Sequence, residues 1–439
     1  MEHNNNIPLW SIIPFVLMLL AIAILPLTNP HFWEKNKNKL LISLILGIPT
    51  ALFLIFNRLT SELIHSVVYD YIPFIILLGS LFIITGGILI KGDIEARPYI
   101  NSIFLGIGAI LASFMGTTGA AMLLIRPLLK TNEERQYKSH TVLFFIAVVA
   151  NCGGLLTPLG DPPLFMMYLR GASFEWFFEL WKEWLFVNSL LIIIYFFTDN
   201  YYWKKETEKA KILDISKIEP IKISGKINFI FLIGVVLSVA FINPNTLSFI
   251  KKNHNLAFIR ELLLIIMAIL SLIFTTKELR RENKFNWEPI EEVAYLFLGI
   301  FITMVPALEY LKLNADTIGV ELAHQFYYFT GILSSFLDNT PTAVTFYYLE
   351  VGLVKTHPEL IKNGLDIVAG IPENIMSAIC LAAVLFGSMT YIGNGPNFMV
   401  KAIAENQGIK MPDFFAYIFK FSLIVLLPIF ILVQIIFIK

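Results

Sequence analysis

Phe336-Leu337-Asp338-Asn339-Thr340-Pro341-Thr342-Ala343 sets an acid, an amide, hydroxyls and a proline inside an apolar stretch running from Ile318 to Glu350. A second apolar stretch, Ser102 to Lys130, is interrupted in the same way by Phe114-Met115-Gly116-Thr117-Thr118-Gly119-Ala120-Ala121. The two interruptions align residue for residue. Downstream of each comes another matching pair: Thr157-Pro158-Leu159-Gly160-Asp161-Pro162-Pro163-Leu164-Phe165-Met166 against Thr390-Tyr391-Ile392-Gly393-Asn394-Gly395-Pro396-Asn397-Phe398-Met399. Irregular polar backbone is tolerated at membrane depth only where protein or a watery cavity satisfies it. Both interrupted stretches therefore read as re-entrant hairpins, with a pair of ordinary kinked helices as the competing reading.

The rest of the chain supplies the membrane these hairpins need. Of 439 residues, 56% are hydrophobic and 15% charged, with a mean hydropathy of +0.71; a soluble protein carries roughly 25% charged residues. A crossing helix needs about 20 mostly apolar residues. On that measure ten crossings centre near Met18, Ile48, Leu81, Val148, Leu191, Gly234, Ala268, Gly299, Ala382 and Leu426. The first, Leu9 to Leu27, has neither basic leader nor small-residue cleavage site and reads as a retained span. The expected fold is an all-α membrane protein of about ten transmembrane helices plus two re-entrant hairpins, not a barrel of alternating strands. Cys152 and Cys380 lie in apolar segments, so no disulfide framework is expected. A net charge of zero gives no reason to expect a nucleic-acid partner.

Lys and Arg placement orients the layout. The segment Asp199 to Lys226 holds seven lysines and reads as cytoplasmic, together with the loops carrying Lys35, Lys91, Arg135, Arg280 and Lys401. Arg58, Arg170, Lys182, Lys251, Lys252, Lys312, Lys355 and Lys362 fall on the opposite side. Both termini are then outside an inner membrane, the first hairpin enters from the cytoplasm and the second from outside. Residues 1–198 form one repeat, 199–226 a cytoplasmic linker and 227–439 a second repeat inverted relative to the first. Inverted repeats with broken helices at mid-membrane are a transporter architecture.

An ion leaving water must regain its coordination shell, and sodium takes oxygens from hydroxyls, amides, carbonyls and carboxylates. The first half offers Thr117, Thr118, Asn151, Thr157 and Asp161; the second offers Asp338, Asn339, Thr340, Thr390, Asn394 and Asn397. Helix N-termini that begin after the breaks also suit an anion. Asp161 and Asp338 discriminate most, because a carboxylate in a break must be paired, ion-bound or protonated. Such a group lets a proton and a sodium ion compete. The alternative is that each caps a half-helix, with Asp161 the better placed for capping.

Other polar residues read as peripheral. Arg126 is replaced by Tyr348 in the other half and reads as anion-binding, acid-paired or snorkelling. His65, His140 and His254 fall at loops or span edges and read as solvated. Glu175, Trp176, Glu179, Trp181 and Trp184 read as an amphipathic helix at the outer interface, and Glu291-Glu292 as surface residues. No nucleotide-binding loop, metalloprotease motif or nucleophile elbow is present, so the chain does not read as an enzyme and no cofactor is expected.

At the paired motifs, over residues 40 to 435, the chain resembles the ion transporter superfamily, which includes divalent anion/sodium symporters, citrate/metal symporters, arsenite permeases and NhaD-type sodium/proton antiporters. Asn339 to Thr342 looks like the tip of the dicarboxylate symporters, with Asp338 in place of their serine. Leu337-Asp338-Asn339 and Gly160-Asp161-Pro162-Pro163 look more like the antiporter and permease branches. Gly116-Thr117-Thr118 lacks the usual asparagine. The resemblance implies a scaffold supporting a mobile transport domain, in a homodimer. Sodium/proton antiport through Asp161 and Asp338 is the expectation, with sodium as transported or coupling ion. Cation-coupled symport of citrate or another dicarboxylate is the alternative, and a channel is disfavoured because the hairpins enter from opposite sides.

Overall fold

The computed structural model describes residues 7–243, 246–247, 250, 256, 258–362 and 366–438; Lys251, Lys252 and His254 lie outside them. All ten expected centres fall in helices. The first half holds α1 (Ile13–Thr28), α2 (Asn36–Phe56), α3 (Ile72–Thr85), α4 (Pro98–Met115), α5 (Thr117–Thr131), α6 (Ser139–Val148), α7 (Pro162–Leu169) and α8 (Trp181–Lys205). The second holds α9 (Ile227–Phe241), α10 (Phe258–Phe274), α11 (Glu288–Asn314), α12 (Ala323–Phe336), α13 (Asn339–Thr356), α14 (Glu373–Phe386), α15 (Gly395–Asn406) and α16 (Leu427–Phe437). Among the described residues eight helical stretches are long and apolar enough to cross a bilayer, and Ile227–Phe241 and Glu373–Met389 are shorter apolar helices. The fold is that of an all-α membrane protein.

Both interrupted stretches fold back on themselves. In the first, α4 ends at Gly116, whose φ of 80° and ψ of 146° lie in a region that favours glycine. The arms then run side by side: Gly108 faces Leu124, and Asn101 and Asn132 exchange side-chain hydrogen bonds of 2.9 and 3.1 Å at the open end. In the second, Phe326 and Phe346 meet edge to face with centroids 6.2 Å apart, and Thr356 at the open end donates to Asp316 at 2.7 Å. Kinked continuous helices cannot make these contacts between residues so far from the break.

The open ends lie with different sets of loops. Around the first, β1 (Leu89–Asp93) pairs antiparallel with β2 (Glu219–Ser224), Lys91 pairs with Glu282 at 2.8 Å and Lys217 with Glu134 at 2.7 Å. Around the second, Arg170 pairs with Asp70 and the Tyr347 hydroxyl reaches Ala369 O at 2.8 Å. The loops of Lys91, Glu134, Lys217 and Glu282 thus gather in one set and those of Asp70, Arg170 and Ala369 in another.

The helices form two packed groups. In one, α11 lies along α2 and α10 along α3 and α9; in the other, α12 lies along α14 and α8 along α4. The second group contains both hairpins and both downstream breaks. Side chains tie the groups together: Arg170, just after α7, makes a two-pronged bond to Asp70 at 2.6 and 2.9 Å, and the Tyr168 hydroxyl donates to Val239 O at 2.7 Å. Asp70 sits in a π-helical turn, His65–Tyr71, leading into α3; such wide turns re-aim side chains.

Two peripheral expectations change. His140 is buried rather than solvated, bonded to Asp199 at 2.7 Å, where Arg135 also binds. The segment after Glu175 is no separate interfacial helix. Its first turn runs directly into α8, Trp176 Nε1 donates to Glu373 at 2.8 Å and Trp184 Nε1 to Gly153 O at 2.9 Å. Trp176 and Trp184 are fixed by acceptors that their own sequence neighbourhood does not show, while Trp181 is exposed.

Candidate functional site

Proline and glycine build the downstream breaks. Pro162 and Pro163 open α7, and Pro396 follows Gly395 at the start of α15; proline is suited to the first turn because its missing N–H would be unpaired there. Ahead of each, the backbone is non-helical, and Gly160 approaches Gly154 so closely that a Cβ on it would lie 1.9 Å from Gly154 O. Thr157 Oγ1 donates to Ser113 O in the first half, and Thr390 Oγ1 donates to Ser335 O in the second. The same hydroxyls accept from the backbone two residues downstream, Leu159 N at 3.1 Å in one half and Ile392 N at 3.2 Å in the other. Each half thus braces its hairpin tip against its own break by the same pair of bonds. Ser113 and Ser335 accept these bonds through backbone carbonyls, and the Ser113 hydroxyl also donates to Gly153 O at 2.5 Å; their shared place, three residues before each tip, was the available signal.

The two halves meet on Asp161. Its Oδ1 accepts from Thr117 Oγ1 at 2.8 Å and from Asn394 Nδ2 at 3.1 Å, and its Oδ2 accepts from Asn339 Nδ2 at 2.6 Å. Thr117 and Asn339 are the first residues of α5 and α13, while Asp161 and Asn394 immediately precede α7 and α15. Four helix N-termini therefore converge on one buried carboxylate, 1% exposed. The aligned peptide dipoles of these helices make the junction electropositive. Thr117 N also donates to Gly160 O at 2.8 Å, fixing tip to break within the first half.

Behind Asp161 lies a ladder of amides. Asn394 Nδ2 also reaches Asn151 Oδ1 at 3.1 Å, Asn151 Nδ2 donates to Asn397 Oδ1 at 2.7 Å, and Asn397 Nδ2 donates to Gly387 O and Thr390 O at 2.8 and 2.9 Å. These bonds alternate between the halves. Such a network has both oxygens and N–H donors to offer, so it can present either to a cation or to a carboxylate.

The expected residues thus divide. Thr117, Asn151, Asp161, Asn339, Asn394 and Asn397 form one connected group, and Thr157 and Thr390 brace the backbone around it. Thr340 touches the group only through a 3.4 Å contact with Asn339 Oδ1. Thr118 is half-buried, and among the described residues no hydrogen bond joins it to the group. Asp338 stands apart as well: its Oδ1 accepts from Thr340 N at 3.0 Å, capping α13, and its backbone O accepts from Thr342 Oγ1 at 2.9 Å. Capping falls to Asp338, whereas Asp161, favoured for capping by its position before two prolines, makes no side-chain cap bond. Pro163 removes the second N–H of its helix, the position from which Asp338 takes its cap, and the third, Leu164 N, donates to the Asp161 carbonyl at 3.0 Å.

Arg126 is not in the group either; its guanidinium reaches Asn283 O at 3.4 Å, while its counterpart Tyr348 lies under Arg170. Among the described residues no cluster of three or more His, Cys, Asp or Glu could hold a metal ion. No curated protein matches the chain. A family model does match, over residues 4–438: the chain belongs to the CitMHS_2 family, described as "Putative citrate transport", and is a multi-pass membrane transporter.

Proposed function

We propose that this protein carries citrate or a closely related small carboxylate across the membrane, coupled to movement of a cation or proton. The observation that carries this reading is the meeting of four helix N-termini and a chain of amides on a single acid. Helix N-termini and amide N–H groups suit the carboxylates of the substrate. Asp161, with the Thr117 hydroxyl and the amide oxygens around it, suits the coupling cation. A tricarboxylate is repelled by uncompensated acids, so one carboxylate at the junction favours symport over a site built from two. The family description points the same way.

Sodium/proton exchange is the second reading, and Asp161 supports it as a buried acid at the junction. It is weaker than the sequence made it, because Asp338 is engaged as a helix cap and only one acid remains in the group. Sodium as the coupling ion, an inner-membrane location with both termini outside, the division into repeats at 1–198 and 227–439, and assembly as a homodimer belong to the same proposal.

Proteoliposomes separate the two readings. Labelled citrate should accumulate when a sodium or pH gradient is imposed and should not accumulate without one. Sodium-driven acidification or alkalinisation of the lumen in the absence of citrate, with no citrate uptake under either gradient, would replace symport by exchange.

A further inference from the structure

Glu350 lies in α13 with an exposure of 0%, and neither carboxyl oxygen has a hydrogen-bond partner among the described residues. The aligned position in the first hairpin is Leu128, so the acid is not required by the repeat. Among the described residues, every charged group on the elements around it is engaged elsewhere or faces solvent. From α11, Lys312 pairs with Glu309 and stands over the Tyr348 ring; from the end of α7, Arg170 pairs with Asp70; from the start of α14, Glu373 accepts from Trp176. The hydroxyls of Tyr327 on α12 and Tyr347 on α13 donate to the carbonyls of Phe430 and Ala369. His324 on α12 and Lys355 on α13 are exposed.

An ionised carboxylate with no donor and no counter-charge in such surroundings costs several kcal/mol, which a bound proton removes. Three and four residues further along the helix come Leu353 and Val354, and seven residues on is His357 at the helix end. At 1.5 Å per residue that places Glu350 about 10 Å below His357, with two apolar side chains between them. His357 is exposed and sits against Glu359 at 3.0 Å and Asp316 at 3.3 Å. Its bond to Glu359 first, and the charge of Asp316 as well, raise its imidazole above the ordinary value, and an imidazole can both take up and release a proton.

We propose that Glu350 is a proton-carrying residue of the transport cycle, neutral in this conformation and deprotonated when the helix end around Leu353 and Val354 opens toward His357. The proton leaves the Glu350 carboxyl for water or the His357 imidazole and returns by the same route; no other bond changes. This rests on the reading of the protein as a coupled carrier, and it adds a proton site distinct from Asp161.

Two measurements on the reconstituted full-length protein test it. In infrared difference spectra between two pH values, the wild type should show a protonated-carboxyl band that Glu350→Gln lacks and Glu350→Asp restores at a shifted position. Under an imposed pH gradient, Glu350→Gln should lower steady-state citrate accumulation about tenfold per pH unit for each proton no longer carried, while citrate/citrate exchange at equal pH persists. A Glu350→Gln spectrum identical to wild type, or an unchanged accumulation ratio, overturns the proposal. If wild-type vesicles exchange no citrate, the transport reading falls, and the infrared band still decides whether Glu350 exchanges its proton.

Discussion

Asp161 and Asp338 are the same residue type, set in corresponding repeats and each beside a helix that starts inside the membrane, yet the structure uses them differently. Asp338 accepts from the backbone of its own helix, two residues along. The Asp161 carboxylate accepts nothing from its own helix and instead binds three side chains, two of them from the other half of the chain. The difference comes from the two residues after each acid. Asn339 and Thr340 leave a free N–H for a cap, whereas Pro162 and Pro163 do not, so the Asp161 carboxylate is left for partners brought by the fold. An acid in a membrane break is a site residue when its own helix cannot satisfy it.

The largest effect expected from that contrast is in transport. Asp161→Asn should abolish gradient-driven citrate uptake, while Asp338→Asn, which keeps an acceptor for Thr340 N, should leave uptake close to wild type. Initial rates in proteoliposomes check this, and equal loss in both variants would break the distinction. A third buried acid, Asp70, sharpens it, because there an arginine does the neutralising. Arg170→Met should strand the Asp70 charge at the contact between the two helix groups, costing about 3–5 kcal/mol. Thermal unfolding in detergent should show the loss, and Asp70→Asn in the same chain should recover much of it. No rescue of that kind is expected for Asp161, which has no cationic partner among the described residues.

A smaller effect is expected from the donors. Asn339→Ala and Asn394→Ala each remove one bond to a charged acceptor, about 1.5–3 kcal/mol, or about tenfold to hundredfold in affinity for whatever Asp161 helps to bind. Isothermal titration with citrate in the presence of sodium, or at fixed pH, measures it. The two losses should be less than additive, since both bonds end on one carboxylate.

Much of this was legible in the chain. The interrupted stretches around Gly116 and Asp338 gave the hairpins, because polar backbone at membrane depth has few solutions, and the aligned blocks gave the correspondence of Thr157 with Thr390 and of Asp161 with Asn394. What could not be read was which residue of one half would face which of the other. Asn397 aligns with Leu164, so the repeat alone gives no reason for Asn397 to bond Asn151, and that bond exists only because the two halves interlock. The cluster of Arg135, His140 and Asp199 was missed for a related reason. Each lies at a span edge where a charged residue ordinarily reaches water, and only the packing of α4, α6 and α8 closes it off. Glu350 gave no local signal at all, since a glutamate five residues before a lysine near a helix end looks solvated.

The smallest effect tests the capping side of the comparison directly. If Asp338 serves α13 only as a cap, its charge is dispensable and its acceptor is not. Asp338→Ala should then cost about 1 kcal/mol of stability, read as a lowered unfolding temperature in detergent, while Asp338→Asn should cost a few tenths or less. Transport in the alanine variant should fall in proportion to the folded fraction, with no change in its pH profile. A pH profile that shifts in Asp338→Asn, with stability intact, would mean that the acid titrates during the cycle. The cap would then be one of two conformations of Asp338, and the junction would again hold two working acids.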